Sequence, residues 1–366
     1  MKITVSEIGS ILEEFAPLYY QESYDNSGLL VGDPNAVIES ALLCIDITEQ
    51  ILDEAISNNH KLIISHHPLI FSGLKSITGR NHIQRIAAKA IKNDIAIYAA
   101  HTNLDSVSKG VSAKICDKLG VGSYRILSPI SNSLVKLVTF VPLSHEKIVR
   151  NAIFEAGAGH IGGYDSCSYN LTGKGTFKAG EGTNPFMGEQ GKLHTEEEVR
   201  IETICLRQLI SKVINALVAA HPYEEAAYDI YPLENKLSQA GLGMIGSLKE
   251  RMPVDDFLAL LKSTFKTGCI RYSVPIKDYI ERVAVCGGSG FSLLRDAIAS
   301  KADIFITADI KYHQFFEAEG KIMLADIGHY ESEQFTVEIV QEVLNGKMPD
   351  FTTSISKFSS NPINYI

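Results

Sequence analysis

The stretch ALLCIDITEQILDEAISNNHKLIISHH, residues 41–67, decides the fold because it alternates two kinds of hydrophobic pattern. ALLCID (41–46) and KLIIS (61–65) are short continuous apolar runs, as expected for strands buried on both faces of a sheet. Between them, EQILDEAISNNH (49–60) has the spacing of an amphipathic helix. A strand, a helix and a second strand in this order predict a βαβ unit with parallel strands.

The same alternation continues after this stretch and returns in the last third of the chain. HIQRIAAKAIKND (82–94) reads as a helix, and IAIYAA (95–100) reads as a third strand. The last third repeats the order strand, helix, strand, helix, strand in ERVAVCGG (281–288), FSLLRDAIASKA (291–302), DIFITAD (303–309), KYHQFFEAEG (311–320) and KIMLAD (321–326). The interval from Cys44 to His66 equals the interval from Cys286 to Ala308. The pattern predicts an α/β protein with two related α/β halves.

The middle of the chain has a different order of elements. Residues 136–234 read as strand, helix, strand, strand, helix and strand, which is the βαββαβ order of the ferredoxin-like plan. Within it, Lys178 to Glu197 contains Gly and Pro without periodicity and predicts a surface loop. We therefore expect residues 1–125 and 245–366 to form one discontinuous α/β unit around an inserted ferredoxin-like α+β domain, residues 126–244.

Composition and charge exclude several classes of protein. Of 366 residues, 45% are hydrophobic, and 34 Lys and Arg against 43 Asp and Glu give a net charge of -9 at pH 7. An acidic chain without a block of Lys or Arg lacks the charge that duplex nucleic acid or anionic lipid requires. No stretch approaches the roughly 20 apolar residues of a membrane span, and the first residues lack the apolar core of a signal peptide. We expect a cytoplasmic protein that binds neither membranes nor nucleic acid.

Three polar clusters follow predicted strands at their carboxyl ends. His66 and His67 come directly after KLIIS, and Asp105 follows IAIYAA. His329 and Glu333 follow KIMLAD and share a helix face at i and i+4. Each cluster alone has a structural alternative: histidines that end a strand, an Asx-turn aspartate, or a surface i,i+4 pair.

The coincidence of the three clusters favours a metal site. The carboxyl ends of strands are where α/β sheets place their ligands. Three imidazoles and two carboxylates without a thiolate suit zinc, with manganese, iron or nickel as alternatives. Five protein groups suit two divalent ions that share a bridging carboxylate or water, and Asp105 is the bridging candidate.

Weaker signals accompany these clusters. A glycine turn before a predicted helix offers backbone amides to an anion or simply makes a tight turn; it comprises Gly287, Gly288, Ser289 and Gly290. Asp309 ends the strand equivalent to KLIIS and is a candidate for substrate or anion binding. The motif His221 to Glu225 (HPYEE) looks ligand-like, but a Pro after a helix usually marks its end.

Together these motifs resemble the family of GTP cyclohydrolase 1 type 2 homologues, also called the Ngg-interacting-factor-three-like family. The resemblance rests on Tyr24-Asp25-Asn26-x-Gly28, Ser65-His66-His67-Pro68, His101-Thr102-Asn103-Leu104-Asp105 and Gly328-His329-x-x-Ser332-Glu333. It implies a dinuclear metal centre bound by His66, His67, Asp105, His329 and Glu333. It also implies a toroidal homohexamer, and an insert similar to signalling proteins of the nitrogen-regulatory and copper-tolerance type.

Two functions follow from the resemblance and the residues. The first is a metal-dependent hydrolase that opens the ring of a purine nucleotide such as GTP, with His101 or His313 as a proton carrier. The second is a non-catalytic, metal-binding hexameric assembly whose inserted domain senses a small ligand. Turnover with bound metal favours the first, and an effector that binds the insert favours the second.

Overall fold

The structure, a computed structural model, describes residues 3–366. It contains two compact units, one formed by the chain up to Ser128 together with Gln239–Ile366, the other by Pro129–Ser238. The strands are β1 Ile3–Thr4, β2 Gly28–Val31, β3 Val37–Ile38, β4 Ser40–Cys44, β5 Leu62–Ser65, β6 Ala96–Ala99, β7 Val121–Ile130, β8 Leu134–Pro142, β9 Ser168–Lys178, β10 Leu193–Leu206, β11 Tyr228–Pro232, β12 Leu237–Pro253, β13 Arg271–Tyr272, β14 Tyr279–Val285, β15 Ile304–Thr307, β16 Met323–Asp326 and β17 Thr352–Ile355.

The helices fall between these strands. They are α1 Val5–Phe15, α2 Glu49–Ser57, α3 His82–Lys92, α4 Thr102–Asp105, α5 Val111–Leu119, α6 Glu146–Glu155, α7 Ile210–Ala220, α8 Val254–Phe265, α9 Leu294–Ala299, α10 His329–Glu333 and α11 Thr336–Lys347. Short 3-10 helices span Leu18–Tyr20, Arg207–Leu209, Phe291–Leu293 and Tyr312–Ala318. Among the residues that the structure describes, no helix is long and apolar enough to cross a membrane.

The first unit contains two main sheets with parallel centres. One has the order β17-β4-β5-β6-β2, in which β17, β4, β5 and β6 are parallel and β2 is antiparallel. The other has the order β13-β16-β15-β14-β12-β7, with β14, β15 and β16 parallel. The predicted α/β class is therefore confirmed, because both halves present three consecutive parallel strands linked by helical connections.

Alternate residues of the parallel strands enter different cores. Leu62 and Ile64 of β5 join a central core that also contains Ile304 and Ile306 of β15 and residues of α1, α5, α8 and α11. The residue between each pair faces an outer core: Ile63 packs with α2 and α3, and Phe305 packs with α9. Both faces of these strands are buried, which explains why their sequences are continuously apolar.

Two helices predicted in the last third are wrong in type or length. The predicted helix 311–320 is the 3-10 helix Tyr312–Ala318, of which Ala318 is the buried residue, so no apolar stripe supports an α-helix. The predicted helix 291–302 is a 3-10 turn followed by the short α9.

The second unit, Pro129–Ser238, has the element order β8-α6-β9-β10-α7-β11. Its sheet is antiparallel throughout, in the order β11-β8-β10-β9. Leu137 and Ile201 of the sheet pack with Ile153 of α6 and Leu217 of α7 in one core. Leu193 begins β10, so the end of the loop predicted over Lys178 to Glu197 is a strand.

Candidate metal centre

The three polar clusters meet at the carboxyl ends of parallel strands in the first unit. β5 leads into His66 and His67, whose amides donate to the carbonyls of Cys44 and Ile45 at the end of β4. β6 leads into α4, which ends at Asp105, and β16 leads into α10, which carries His329 and Glu333. Strand ends from both halves of the sequence therefore supply one cluster.

Glu333 lies at the middle of this cluster. Its Oε1 is 3.6 Å from His66 Nε2, and its Oε2 is 3.0 Å from His67 Nε2 and 3.2 Å from His329 Nε2. The Nε2 atoms of His67 and His329 are 3.3 Å apart. Asp105 Oδ1 completes the group at 3.8 Å from His66 Nε2. The structure thus brings together all five residues that the sequence pattern selected as ligands.

Each imidazole is oriented by a hydrogen bond on its Nδ1 side. His67 Nδ1 is 2.7 Å from Asp46 Oδ1, and His329 Nδ1 is 2.7 Å from Asp309 Oδ2. His66 Nδ1 is 2.8 Å from a backbone carbonyl, that of Ala100. These acceptors require a proton on Nδ1, so the Nε2 lone pairs point into the cluster, the arrangement usual for metal-binding histidines.

His101 is a fourth imidazole of the cluster. Its ring centroid lies 5.2 Å from that of His66 and 5.3 Å from that of His67. Its Nδ1 is 2.7 Å from Asp25 Oδ1, so it is held in the same way as His67. His313, the other predicted proton carrier, is exposed on a 3-10 helix and packs against Tyr312. The structure therefore brings His101, and not His313, to the cluster.

Three buried atoms of the cluster have no hydrogen-bond partner within the described chain. They are His66 Nε2, Asp105 Oδ1 and Glu333 Oε2. A buried polar atom without a partner costs about 1–3 kcal/mol, so three that face one another require an explanation. A bound cation supplies one, because imidazole nitrogens and carboxylate oxygens are common ligands of divalent metals.

The electrostatics of the cluster favour positive charge. Burial alone would lower the pKa of His67, but its hydrogen bond with Asp46 and the nearby carboxylate of Glu333 raise that pKa to about 9. In the same way, Asp309 and Glu333 outweigh burial and raise the pKa of His329 to about 11. Burial raises the pKa of Asp105 to about 6, against the lowering effect of the nearby His66. A negative potential of this kind attracts protons or metal cations alike.

Two groups of side chains have the geometry to hold a metal ion. One is His66, His67 and His101; the other is His67, His329 and Glu333; the ligand atoms within each group lie within 4.8 Å of one another. Because His67 belongs to both groups, the two positions are adjacent. The residues present fit a divalent metal.

The glycine turn packs against the cluster. A Cβ on Gly288 would lie 2.1 Å from Glu333 Oε1, so glycine is required where the turn passes the carboxylate. The amides of Gly288 and Gly290 donate to the hydroxyls of Ser332 and Thr307, at 2.9 and 2.8 Å. These two amides are used within the protein, whereas the anion hypothesis requires them to face a ligand. Asp309, the other anion candidate, accepts from His329 instead.

Two carboxylates that hold imidazoles of the cluster were not selected from the sequence: Asp46, and Asp25, which stood only within the motif Tyr24-Asp25-Asn26-x-Gly28. Asp46 lies just after β4, at the same sheet edge as His66, so the strand-end argument could have selected it. Asp25 precedes β2, an antiparallel edge strand that was not predicted, and its Oδ2 also accepts from the amide of Thr102 at 3.0 Å. No sequence spacing connects Asp25 with His101.

The fold and the site together define a class: α/β proteins with a candidate metal centre of histidines and carboxylates at the sheet edge. The chain belongs to the Duf34/NIF3 (NGG1p interacting factor 3) family, whose model matches residues 3–362. This confirms the resemblance seen in the motifs.

Several named relatives extend over nearly the whole chain. It is 40% identical over 362 residues to a "GTP cyclohydrolase 1 type 2 homolog" of Halalkalibacterium halodurans, with 97% of each chain covered. It is 36% identical to the protein of the same name from Bacillus subtilis, with 98% of each covered. Among solved structures, a Bacillus cereus protein related to NIF3 is similar over 100% of both chains, with a TM-score of 0.82 and 38% identity.

Proposed function

We propose that this protein is a metal-dependent hydrolase with a dinuclear centre. The ligands would be His66, His67, Asp105, His329 and Glu333, and zinc is the metal we expect first. The observation that carries the proposal is the set of three buried atoms without hydrogen-bond partners, surrounded by imidazoles whose Nδ1 atoms are already fixed.

Divalent ions bound there would act as Lewis acids and lower the pKa of water, which is the chemistry that hydrolysis at neutral pH requires. The protein's own residues would orient and move protons around that chemistry. Asp46 and Asp309 hold the rings of His67 and His329, so these ligands need no reorganisation. His101, with its side chain 15% exposed and fixed by Asp25, is placed to carry a proton between the cluster and a substrate.

The substrate class we propose is a purine nucleotide. Its support is the printed name of the relatives, GTP cyclohydrolase 1 type 2 homolog. For such a substrate, one water would add at C8 and the C8–N9 bond would break, which opens the imidazole ring and leaves a formamide on N7. A second water would hydrolyse this formamide and release formate.

The test compares wild type with His67→Ala and with His82→Ala, an exposed histidine at the start of α3. Untagged protein is analysed for metal per chain by elemental mass spectrometry and assayed for formate release from GTP. We expect two ions per chain and formate release in wild type and His82→Ala. His67→Ala should lose metal and turnover, since His67 belongs to both ligand groups.

The oligomer is measured in the same samples by light scattering. We expect the homohexamer implied by the resemblance, unchanged in His67→Ala. Retained formate release by a variant with an empty site would contradict the hydrolase proposal. Two bound ions without turnover would instead favour the second candidate, a regulatory assembly, which is supported by an aromatic-lined cavity in the unit Pro129–Ser238.

A further inference from the structure

The unit Pro129–Ser238 contains a cavity of about 630 Å³. It lies beside the β9–β10 hairpin, the loop that joins these two strands and the loop after α7. Four aromatic rings line it: Phe140, Phe177, Phe186 and Tyr223. The ring of Tyr223 lies 5.9 Å from Phe177 and 6.3 Å from Phe186, so three of these rings form one wall. The size is within the range of small-molecule sites.

A buried carboxylate is the main polar group of this cavity. Glu198 is 8% exposed, and its Oε1 accepts a hydrogen bond of 2.9 Å from the hydroxyl of Tyr223. Within the part of the chain that the structure describes, Oε2 has no hydrogen-bond partner and Glu198 has no ion pair. Because Glu198 lines the cavity, this oxygen is free to accept a hydrogen bond from a ligand.

The neighbouring backbone makes room for this carboxylate. A Cβ on Gly175 of β9 would lie 2.1 Å from Glu198 Oε2, so any side chain at that position would displace the carboxylate. The motif His221 to Glu225 contributes from the other side. His221 is buried and accepts from the amide of Tyr223 at 3.1 Å, while its Nε2 lies 2.9 Å from the carbonyl of Phe140. His221 thus positions Tyr223, which in turn holds Glu198.

The rim of the cavity carries charge of both signs. Arg200 lines it and is exposed, and it lies two residues after Glu198 in β10, on the same face of the sheet. Its Nε is 2.9 Å from Glu202 Oε1. Glu224 and Glu225 also line it, and Glu224 accepts from the amide of Asn184 across the loop at 2.9 Å. The cavity therefore offers a carboxylate acceptor, aromatic rings and one exposed guanidinium.

We propose that this cavity binds a nucleotide whose base presents two adjacent N–H donors, as guanine does. The carboxylate of Glu198 would accept from that edge, the aromatic wall would contact the face of the base, and Arg200 would contact phosphate. Adenine presents an acceptor nitrogen at the corresponding position, which the carboxylate repels. This site is separate from the metal centre, and its ligand is an effector rather than the hydrolysed substrate.

The experiment is calorimetric titration of the full chain after metal removal with EDTA, so that the candidate metal centre does not contribute. The probes are GMP, IMP, which lacks the second donor, and AMP. We expect saturable binding of GMP, weaker binding of IMP, and AMP weaker than GMP by about 10- to 100-fold, as expected for hydrogen bonds to a charged acceptor. Equal affinity for AMP and GMP, or no saturable binding of GMP up to about 1 mM, overturns the proposal.

Three variants locate the site. Glu198→Gln replaces one acceptor with a donor and should weaken GMP binding at least about tenfold. Glu197→Gln, the adjacent exposed residue of β10, is the matched control and should bind as wild type does. Phe186→Ala removes a ring that is 48% exposed, so folding is not at risk, and it should also weaken GMP. Unchanged binding in both Glu198→Gln and Phe186→Ala would refute the site, whatever the outcome at the metal centre.

Discussion

His67 depends on one carboxylate for its orientation. Asp46 accepts from its Nδ1 at 2.7 Å and is itself held by the hydroxyl of Ser360, 2.8 Å from Asp46 Oδ2. We expect Asp46→Ala to weaken zinc binding by about 10- to 100-fold, the usual effect of removing a partner of a metal-binding histidine. The measurement is competition for zinc against a chromophoric chelator.

Asp53→Ala is the matched control for Asp46→Ala. Asp53 is a surface aspartate of α2, paired with Lys89, and touches none of the cluster. It should bind zinc as wild type does. Equal zinc affinity in Asp46→Ala and Asp53→Ala would show that the ring of His67 needs no orientation by Asp46.

Between secondary-structure elements, Asp303 connects the start of β15 to β14. It is 3% exposed and accepts from the amides of Glu281 and Arg282, at 3.0 and 2.8 Å, and from Lys277 Nζ at 2.6 Å. Burial would raise its pKa, but these donors lower it below the ordinary value. We expect Asp303→Asn to lower the free energy of unfolding at pH 7 by roughly 1–3 kcal/mol, measured in urea.

The decrease in the free energy of unfolding caused by Asp303→Asn should depend on pH. The folded pKa of Asp303 lies below the unfolded value of about 3.9, so the stabilisation is present above that value and is lost as the pH falls toward the folded pKa. The difference between wild type and Asp303→Asn should therefore shrink below about pH 4. Asp350→Asn, at an exposed site, should have the same free energy of unfolding as wild type at pH 7 and at pH 3. A constant difference from pH 7 to pH 3 would contradict the role of ionised Asp303.

The elements also show how far the sequence predicts the site. The parallel strands are buried on both faces, so continuous apolar runs in the sequence predict them. The ends of β5, β6 and β16 then pointed to His66, Asp105 and His329 as candidate ligands. The antiparallel strands β2, β12 and β13 lack that signal, and each depends on long-range pairing. Contacts that begin near such strands, like Asp25 with His101, are tertiary and leave no local pattern.

At the scale of the whole molecule, the candidate centre joins parts of the chain that are far apart in sequence. His66 and His67 come from the first half, and His329 and Glu333 from the second, so a bound ion would cross-link the discontinuous unit. Unfolding would separate these ligands, and the unfolded chain would bind metal more weakly.

Metal removal should therefore lower the stability of the whole first unit. At free zinc about 1,000 times its dissociation constant, binding adds about 4 kcal/mol to the free energy of unfolding. We expect EDTA to lower the thermal midpoint of wild type and of Glu338→Gln, a surface variant on α11 at a residue paired with Lys118. Glu333→Gln should unfold at the same temperature with and without zinc, because Glu333 contacts three of the imidazoles. An equal midpoint for zinc-loaded and EDTA-treated wild type, with zinc occupancy verified by dialysis, would show that the ion does not bridge the two halves.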